Sequence, residues 1–331
     1  MDLDLLEQKP RLRGWLAIEW ATFAYTAFTT VLVVLMWNTL SNPTELLIGR
    51  ACVVGGMLLT FGLYKAFPGS ATRFLRNLFP LTLLAYWYPD TYEFCQCFGN
   101  LDPVFAQADA TLFGCQPSLE FSRWADSKFW SETFHMGYFA YYPLIFLTVL
   151  VPLFTDKQRF EPTAFVVLAS FLCYYLIYLF LPVAGPQYYF HATGTDIIEA
   201  GVFPEVGDWF RHHTEMRSSP GQEGLFRTLV EGSQASGERP TAAFPSSHVG
   251  ISTILLLLLW KNNRWLFFGV LPFYFALCGA TVYIEAHYLI DVFGGWITAL
   301  LFYKSTTCIY RRWGQPHESG MQTSEQAARE I

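Results

Sequence analysis

Two short stretches in the last third of the chain hold residue types suited to phosphoryl chemistry. They are Phe244-Pro245-Ser246-Ser247-His248 and His287-Tyr288-Leu289-Ile290-Asp291. Each histidine stands at the end of an apolar run, where an ionisable group is costly and marks a function. Pro245 suits the first position of a helix, because its missing N–H is one the first turn leaves unpaired anyway. Ser246, Ser247 and His248 then occupy a first turn whose free amides and positive dipole end cradle phosphate, with the hydroxyls as further donors. The plainer reading is a serine cap with a histidine reaching the interface. His287 and Asp291 are four apart and share a face on a helix. A carboxylate placed there holds one imidazole N–H, fixes the tautomer and makes the other nitrogen more nucleophilic. Two histidines and an aspartate also suit iron or zinc, and bis-histidine haem ligation needs histidines deeper in the helices. The serines favour phosphoryl transfer, so no metal and no cofactor is expected.

These groups need a scaffold, and the composition says which kind. The 331 residues are 53% hydrophobic and 15% charged, against about 25% charged in soluble domains, and mean hydropathy is +0.27. The expectation is an all-α polytopic integral membrane bundle. Apolar runs near 15–38, 46–66, 74–89, 133–155, 162–182, 247–260, 265–284 and 288–304 give about eight transmembrane helices. The first run is too long for a signal peptide and lacks a small-residue cleavage site after it. Lys65, Arg73, Arg76, Lys157, Arg159, Lys261, Arg264, Lys304, Arg311 and Arg312, together with Lys9, Arg11 and Arg13, fall on one side of an eight-pass path. The positive-inside rule makes that side cytoplasmic, with both termini, and puts His248, His287 and the loops at 90–132 and 183–244 outside. A net charge of −6 argues against a nucleic-acid binder.

The outer loops carry secondary signals. The sequence between Leu101-Asp102-Pro103 and Leu112-Phe113-Gly114 reads as an interfacial helix. The segment 183–244 reads as a lid or a disordered connection. Cys95, Cys97 and Cys115 cluster in one segment, as free thiols or with one disulfide to Cys115 in an oxidising compartment. The aromatics at Tyr86-Trp87-Tyr88 and from Tyr138 to Tyr142 read as an interfacial belt.

Pro245-Ser246-Ser247-His248 and His287-x-x-x-Asp291 resemble the second and third signature motifs of the type-2 phosphatidic acid phosphatase superfamily, at the right helix ends and in the right order. While the polar segment 314–331 reads as a disordered cytoplasmic tail, the resemblance implies a six-helix catalytic domain over 74–313 and an N-terminal two-helix extension over 1–73. It implies that His287 is the nucleophile that forms a phosphohistidine, that Asp291 orients it, and that His248 protonates the leaving oxygen and then activates the acceptor. Ser246, with the amides of Ser247 and His248, is implied to bind phosphate oxygens. The family's first motif supplies a lysine and an arginine, but the corresponding helix end here reads Leu181-Pro182-Val183-Ala184-Gly185-Pro186-Gln187-Tyr188-Tyr189. Thr281 stands where an arginine often precedes the third motif. Phosphoryl transfer needs charge neutralisation at the equatorial oxygens. Arg239 is the first candidate, then Arg227 or Arg217, with Gln187, Tyr188 and Tyr189 as neutral donors. This reduced pattern is similar to the branch containing inositol phosphorylceramide synthases. Asp109 to Gly114 looks like an extracytoplasmic element of that branch, read as structural.

The expectation is therefore a lipid phosphate or diphosphate phosphatase in a bacterial inner membrane or a eukaryotic secretory-pathway membrane, acting at the extracytoplasmic face. Its partners are the bilayer and a lipid phosphate substrate; the sequence does not set the oligomeric state. The rival enzyme is a lipid phosphotransferase with the same intermediate and an alcohol acceptor. A transporter is the non-enzymatic rival, and it places polar groups near the bilayer midplane rather than at helix ends.

Overall fold

The computed structural model describes residues 14–314, and the Lys9 to Arg13 cluster and the 315–331 tail lie outside the described residues. Among the described residues the chain is a helical bundle without strands. Helices occur at all eight expected places. Five are long and apolar enough to cross a membrane: Ala17–Leu35, Pro43–Ala66, Lys128–Thr155, Lys157–Tyr178 and Arg264–Tyr283. The other three expected crossings differ. The third is two helices, Ser70–Thr82 and Leu84–Cys95, meeting at Leu83. The sixth, Ser247–Asn262, is only 16 residues long. The eighth, Leu289–Trp313, runs well past the expected boundary and carries Lys304, Arg311 and Arg312. The 128–155 segment is itself jointed at Ala140. Pro143 has no N–H to offer the carbonyl of Phe139, and its ring crowds that oxygen.

Phe160–Tyr178 is the central helix, packed against Ala17–Leu35, Ser70–Thr82, Leu84–Cys95, Tyr141–Thr155, Ser247–Asn262 and Leu289–Trp313. Two buried ion pairs join the N-terminal helices to the rest. Arg50 grips both oxygens of Asp90 at 3.0 and 2.8 Å, and Arg76 donates through Nε to Glu19 at 2.7 Å. Desolvation offsets most of the gain from such pairs, so they fix helix register more than they add stability.

Ser247–Asn262 and Leu289–Trp313 approach so closely that a Cβ on Gly295 would lie 2.7 Å from the carbonyl oxygen of Ser246 and 3.3 Å from the amide of Gly250. This contact brings the starts of the two helices together, and with them the two histidine motifs.

The 183–244 segment is neither disordered nor a bare connection. It forms four short helices, Pro186–Thr193, Thr195–Glu199, Trp209–His212 and Leu225–Gly237, the last packed on Lys128–Phe139. The expected helix over 102–113 is present, but its buried face carries two carboxylates, Asp102 and Asp109. All described cysteines are free. Cys95 is buried with its thiol directed at the hydroxyl of Thr241, while Cys115 is exposed, so no disulfide joins them.

Candidate active site

Both histidine motifs sit earlier relative to their helices than the spacing suggests. Pro245 is not the first helical residue, because Ser246 takes the cap position and its hydroxyl accepts from the amide of Val249 at 3.4 Å. The Phe244–Pro245 peptide is cis. The carbonyl of Pro245 accepts from the Tyr178 hydroxyl at 2.7 Å, and the amide of Ser246 donates to the carbonyl of Asp291 at 3.1 Å. His287 likewise stands outside its helix, since Tyr288 is the cap and the helix begins at Leu289.

This changes what holds the imidazole of His287. Its Nδ1 lies 2.7 Å from the carbonyl of Ala243, whereas Oδ2 of Asp291 is 3.6 Å away. A carbonyl accepts only, so Nδ1 carries the proton and Nε2 is left with its lone pair. The expected carboxylate–imidazole hydrogen bond is thus replaced by a backbone carbonyl, with Asp291 close enough for charge stabilisation. Oδ2 of Asp291 accepts instead from the amide of Tyr288 at 2.9 Å, and buried Oδ1 has no partner. Burial pushes the His287 imidazole down to about 4, against the raising effect of the Ala243 carbonyl, so it is uncharged at neutral pH.

Nε2 of His287 points to Nδ1 of His248 at 3.4 Å. The ring of His248 is held between those of Tyr138 and Tyr141, each with its centroid 4.6 Å away. Both tyrosines are buried and belong to the site rather than to an interfacial belt. One cavity is lined by His248, His287, Ser247, Arg239, Gln187, Glu238, Thr241, Tyr88 and Tyr138.

The candidate phosphate binders divide clearly. Arg239 faces this cavity, and its guanidinium donates to the Glu238 carbonyl at 2.9 Å. Arg217 is paired with Glu285 at 2.8 Å, and Arg227 with Glu231 at 3.0 Å. Gln187 lines the cavity, but its side-chain amide donates to Oε2 of Glu238 at 2.9 Å. Tyr189 donates to the Pro204 carbonyl at 2.9 Å, and Tyr188 packs with Phe210 in a separate cluster; neither lines the cavity. Ser246, used as the cap, does not line it either, while Ser247 does.

Sequence reasoning missed Glu238. Its Oε1 accepts from the Tyr138 hydroxyl at 2.9 Å, so one carboxylate braces both the amide of Gln187 and the ring stacked on His248. Burial raises its pKa, and the Gln187, Tyr138 and Gln234 side chains lower it in part. Its position beside Arg239 was the one available clue. No group of three or more histidine, cysteine, aspartate or glutamate side chains among the described residues has a metal-holding arrangement.

No match was found among curated proteins or among solved structures. The family model of the PAP2 superfamily matches residues 105–304, from within the Asp102–Phe113 helix to within the final helix, and so spans both histidine motifs. The match covers more than half of the chain and supports phosphatase- or phosphotransferase-type chemistry on lipid phosphates. The chain belongs to the PAP2 superfamily.

Proposed function

We propose that the protein breaks a phosphoester or phosphoanhydride bond of a membrane lipid at the extracytoplasmic face, through a phosphohistidine at Nε2 of His287. The observation that carries this reading is the division of labour on one imidazole. Nδ1 is committed to the Ala243 carbonyl at 2.7 Å, while Nε2 faces His248 at 3.4 Å in the cavity that also holds Arg239.

In the first step the Nε2 lone pair attacks phosphorus and the bond to the leaving oxygen breaks. His248, protonated beside the negative charge of the bound phosphate, gives that oxygen a proton. In the second step neutral His248 takes a proton from the acceptor, whose oxygen bonds to phosphorus as the P–Nε2 bond breaks. Arg239 and the N–H and O–H groups of Ser247 offset charge on the equatorial oxygens. Asp291 stabilises the positive charge that develops on His287.

The outer-face assignment rests on the basic residues. Lys261 lies at the far end of the helix that His248 begins, roughly 20 Å away along its axis. Arg159 donates to the Lys261 carbonyl there, so the basic ends of neighbouring helices lie together.

A phosphotransferase reading shares every step but the acceptor. Glu238 at the cavity wall favours it, since each carboxylate oxygen, already accepting from Tyr138 or Gln187, has a further lone pair for a hydroxyl. The test is phosphate release by purified protein from phosphatidic acid and from a lipid diphosphate, with and without glycerol or inositol. Phosphate release sustains the phosphatase reading; lipid consumption only with an alcohol, giving its phosphorylated product, sustains the transferase. Turnover by neither route contradicts both.

A further inference from the structure

Asp109 is fully buried, and its carboxylate reaches the start of a helix 180 residues further along the chain. Oδ2 accepts from the amide of Leu289 at 2.8 Å, and Oδ1 from the amide of Ile290 at 3.0 Å. The first amides of a helix have no partner within it, and a side chain at the cap position usually supplies one. Tyr288, the cap residue here, does not, because its hydroxyl donates to Oδ1 of Asp102 at 2.9 Å. The three amides are shared out instead, Tyr288 to Asp291 and the next two to Asp109.

We infer that Asp109 is a positioning residue for the His287–Asp291 pair. The only carboxylate that the first turn of the final helix carries is that of Asp291. If the amides of Leu289 and Ile290 lost Asp109, they would compete for Asp291 and draw its Oδ2 away from Nδ1 of His287, now 3.6 Å distant. By satisfying both amides from outside, Asp109 leaves Oδ2 of Asp291 with the Tyr288 amide as its one donor and in place beside the histidine, and leaves buried Oδ1 without a partner.

Asp102, seven residues earlier and two turns away on the same buried face, holds the other side of the motif. It accepts from the amides of Ala184 and Gly185 at 2.7 and 2.8 Å, besides the Tyr288 hydroxyl. One outer helix thus grips both the loop before Gln187 and the three residues that follow His287. The helix that the sequence marks only as an interfacial element is a bracket for the nucleophile's backbone.

The inference rests on reading His287 and Asp291 as a catalytic pair, and its test separates the two ideas. In full-length protein in detergent, Asp109→Asn keeps the shape of the side chain but turns an N–H toward one of the two amides. With phosphatidic acid as the probe, kcat falls about 10- to 100-fold, and KM stays within about threefold. The double variant Asp109→Asn with Asp291→Asn has a kcat within about threefold of Asp291→Asn alone, since both act through one carboxylate. Multiplicative losses in the double variant, or a lowered melting temperature with kcat unchanged, overturn the inference. If Asp109→Asn does not fold, Asp109→Glu goes through the same cycle, because it keeps both oxygens and the charge.

A second readout needs no turnover. In protein with 15N-labelled histidine, assigned with a His287→Gln variant, Asp109→Asn moves the imidazole resonances of His287 as Asp291→Asn does, with no added change in the double variant. Unmoved resonances contradict the positioning role. Failure of the wild type to act on any lipid phosphate contradicts the function while leaving this spectrum to decide on Asp109.

Discussion

The imidazoles of His287 and His248 meet Nε2 to Nδ1 at 3.4 Å, and the other ring nitrogen of His287 is tied to the Ala243 carbonyl. Only one nitrogen of His287 is therefore free for chemistry, and its nearest titratable neighbour is a histidine held between two tyrosine rings. A nucleophile and a proton-transfer group in this relationship make separable predictions.

Removing His248 separates bond breaking from turnover. A good leaving group needs little acid help. His248→Ala therefore still forms a phosphoenzyme with such a substrate and then retains it, because nothing activates the acceptor. Rapid-quench measurement shows a burst followed by slow release. Multiple turnover at the wild-type rate contradicts the role of His248.

We assign the neutralising charge on the transferring group to Arg239, which lines the cavity. Arg239→Ala costs about 3 kcal/mol of transition-state stabilisation, on the order of 100-fold in kcat/KM. Arg227→Ala stays close to wild type, because that guanidinium is occupied by Glu231 and the Gly221 carbonyl. Equal losses in the two variants place the neutralising charge elsewhere.

Close helix packing brings the histidines together, and Gly295 permits it. A methyl group at Gly295 would meet the Ser246 carbonyl oxygen at 2.7 Å, so Gly295→Ala drives the two helices apart. The expected result is a kcat loss of at least about tenfold, since misplacement of reacting groups by an ångström costs on the order of 100-fold. Wild-type kcat in Gly295→Ala shows that this contact does not set the site.

Glu285 supplies a pH-dependent test of stability. Burial pushes its carboxyl up to about 7, against the lowering effects of Arg217 and Arg123. A carboxyl raised in the folded state favours folding below its ordinary value of 4.5, and that contribution is lost as pH rises through about 7. Glu285→Gln removes the ionisation and is more stable than wild type at pH 8, by on the order of 2 kcal/mol. The gain shrinks as pH falls toward 5. Thermal unfolding in detergent at both values checks this, and a variant less stable than wild type at pH 8 contradicts it.

Much of this was legible in the sequence, for identifiable reasons. Apolar run length places the helices, and His248, His287 and Asp291 are conspicuous because ionisable residues are scarce at such helix ends. The errors are of two kinds. The first concerns single-residue boundaries: Ser246 and Tyr288 take the caps, so Pro245 and His287 fall outside their helices and a carbonyl replaces the expected carboxylate. The second concerns partners far apart in the chain. Tyr138 and Tyr141 look like any interfacial tyrosines until His248 is packed between them. The partners of Asp109 are backbone amides, which carry no side-chain signature at all. The sequence already ranks Arg239 ahead of Arg217 and Arg227, and the acids that occupy those two separate them further.

Side of the membrane is tested by a cysteine at Ser218, an exposed position in the 183–244 segment. In a chain with the exposed Cys52, Cys115 and Cys308 changed to serine, Ser218→Cys reacts with an impermeant maleimide in intact cells. Reaction only after permeabilisation reverses the orientation and moves the site to the cytoplasmic face.

The central claim is that phosphorus becomes bonded to Nε2 of His287. The direct measurement is acid-labile, alkali-stable incorporation of phosphate into His248→Ala protein from a lipid diphosphate labelled with 32P at its terminal phosphate, whose leaving group needs little acid help, with the modified peptide located by mass spectrometry. The account predicts label on the peptide containing His287, and none when His287→Ala is added. Label on another residue, or lipid turnover persisting in His287→Ala, contradicts it.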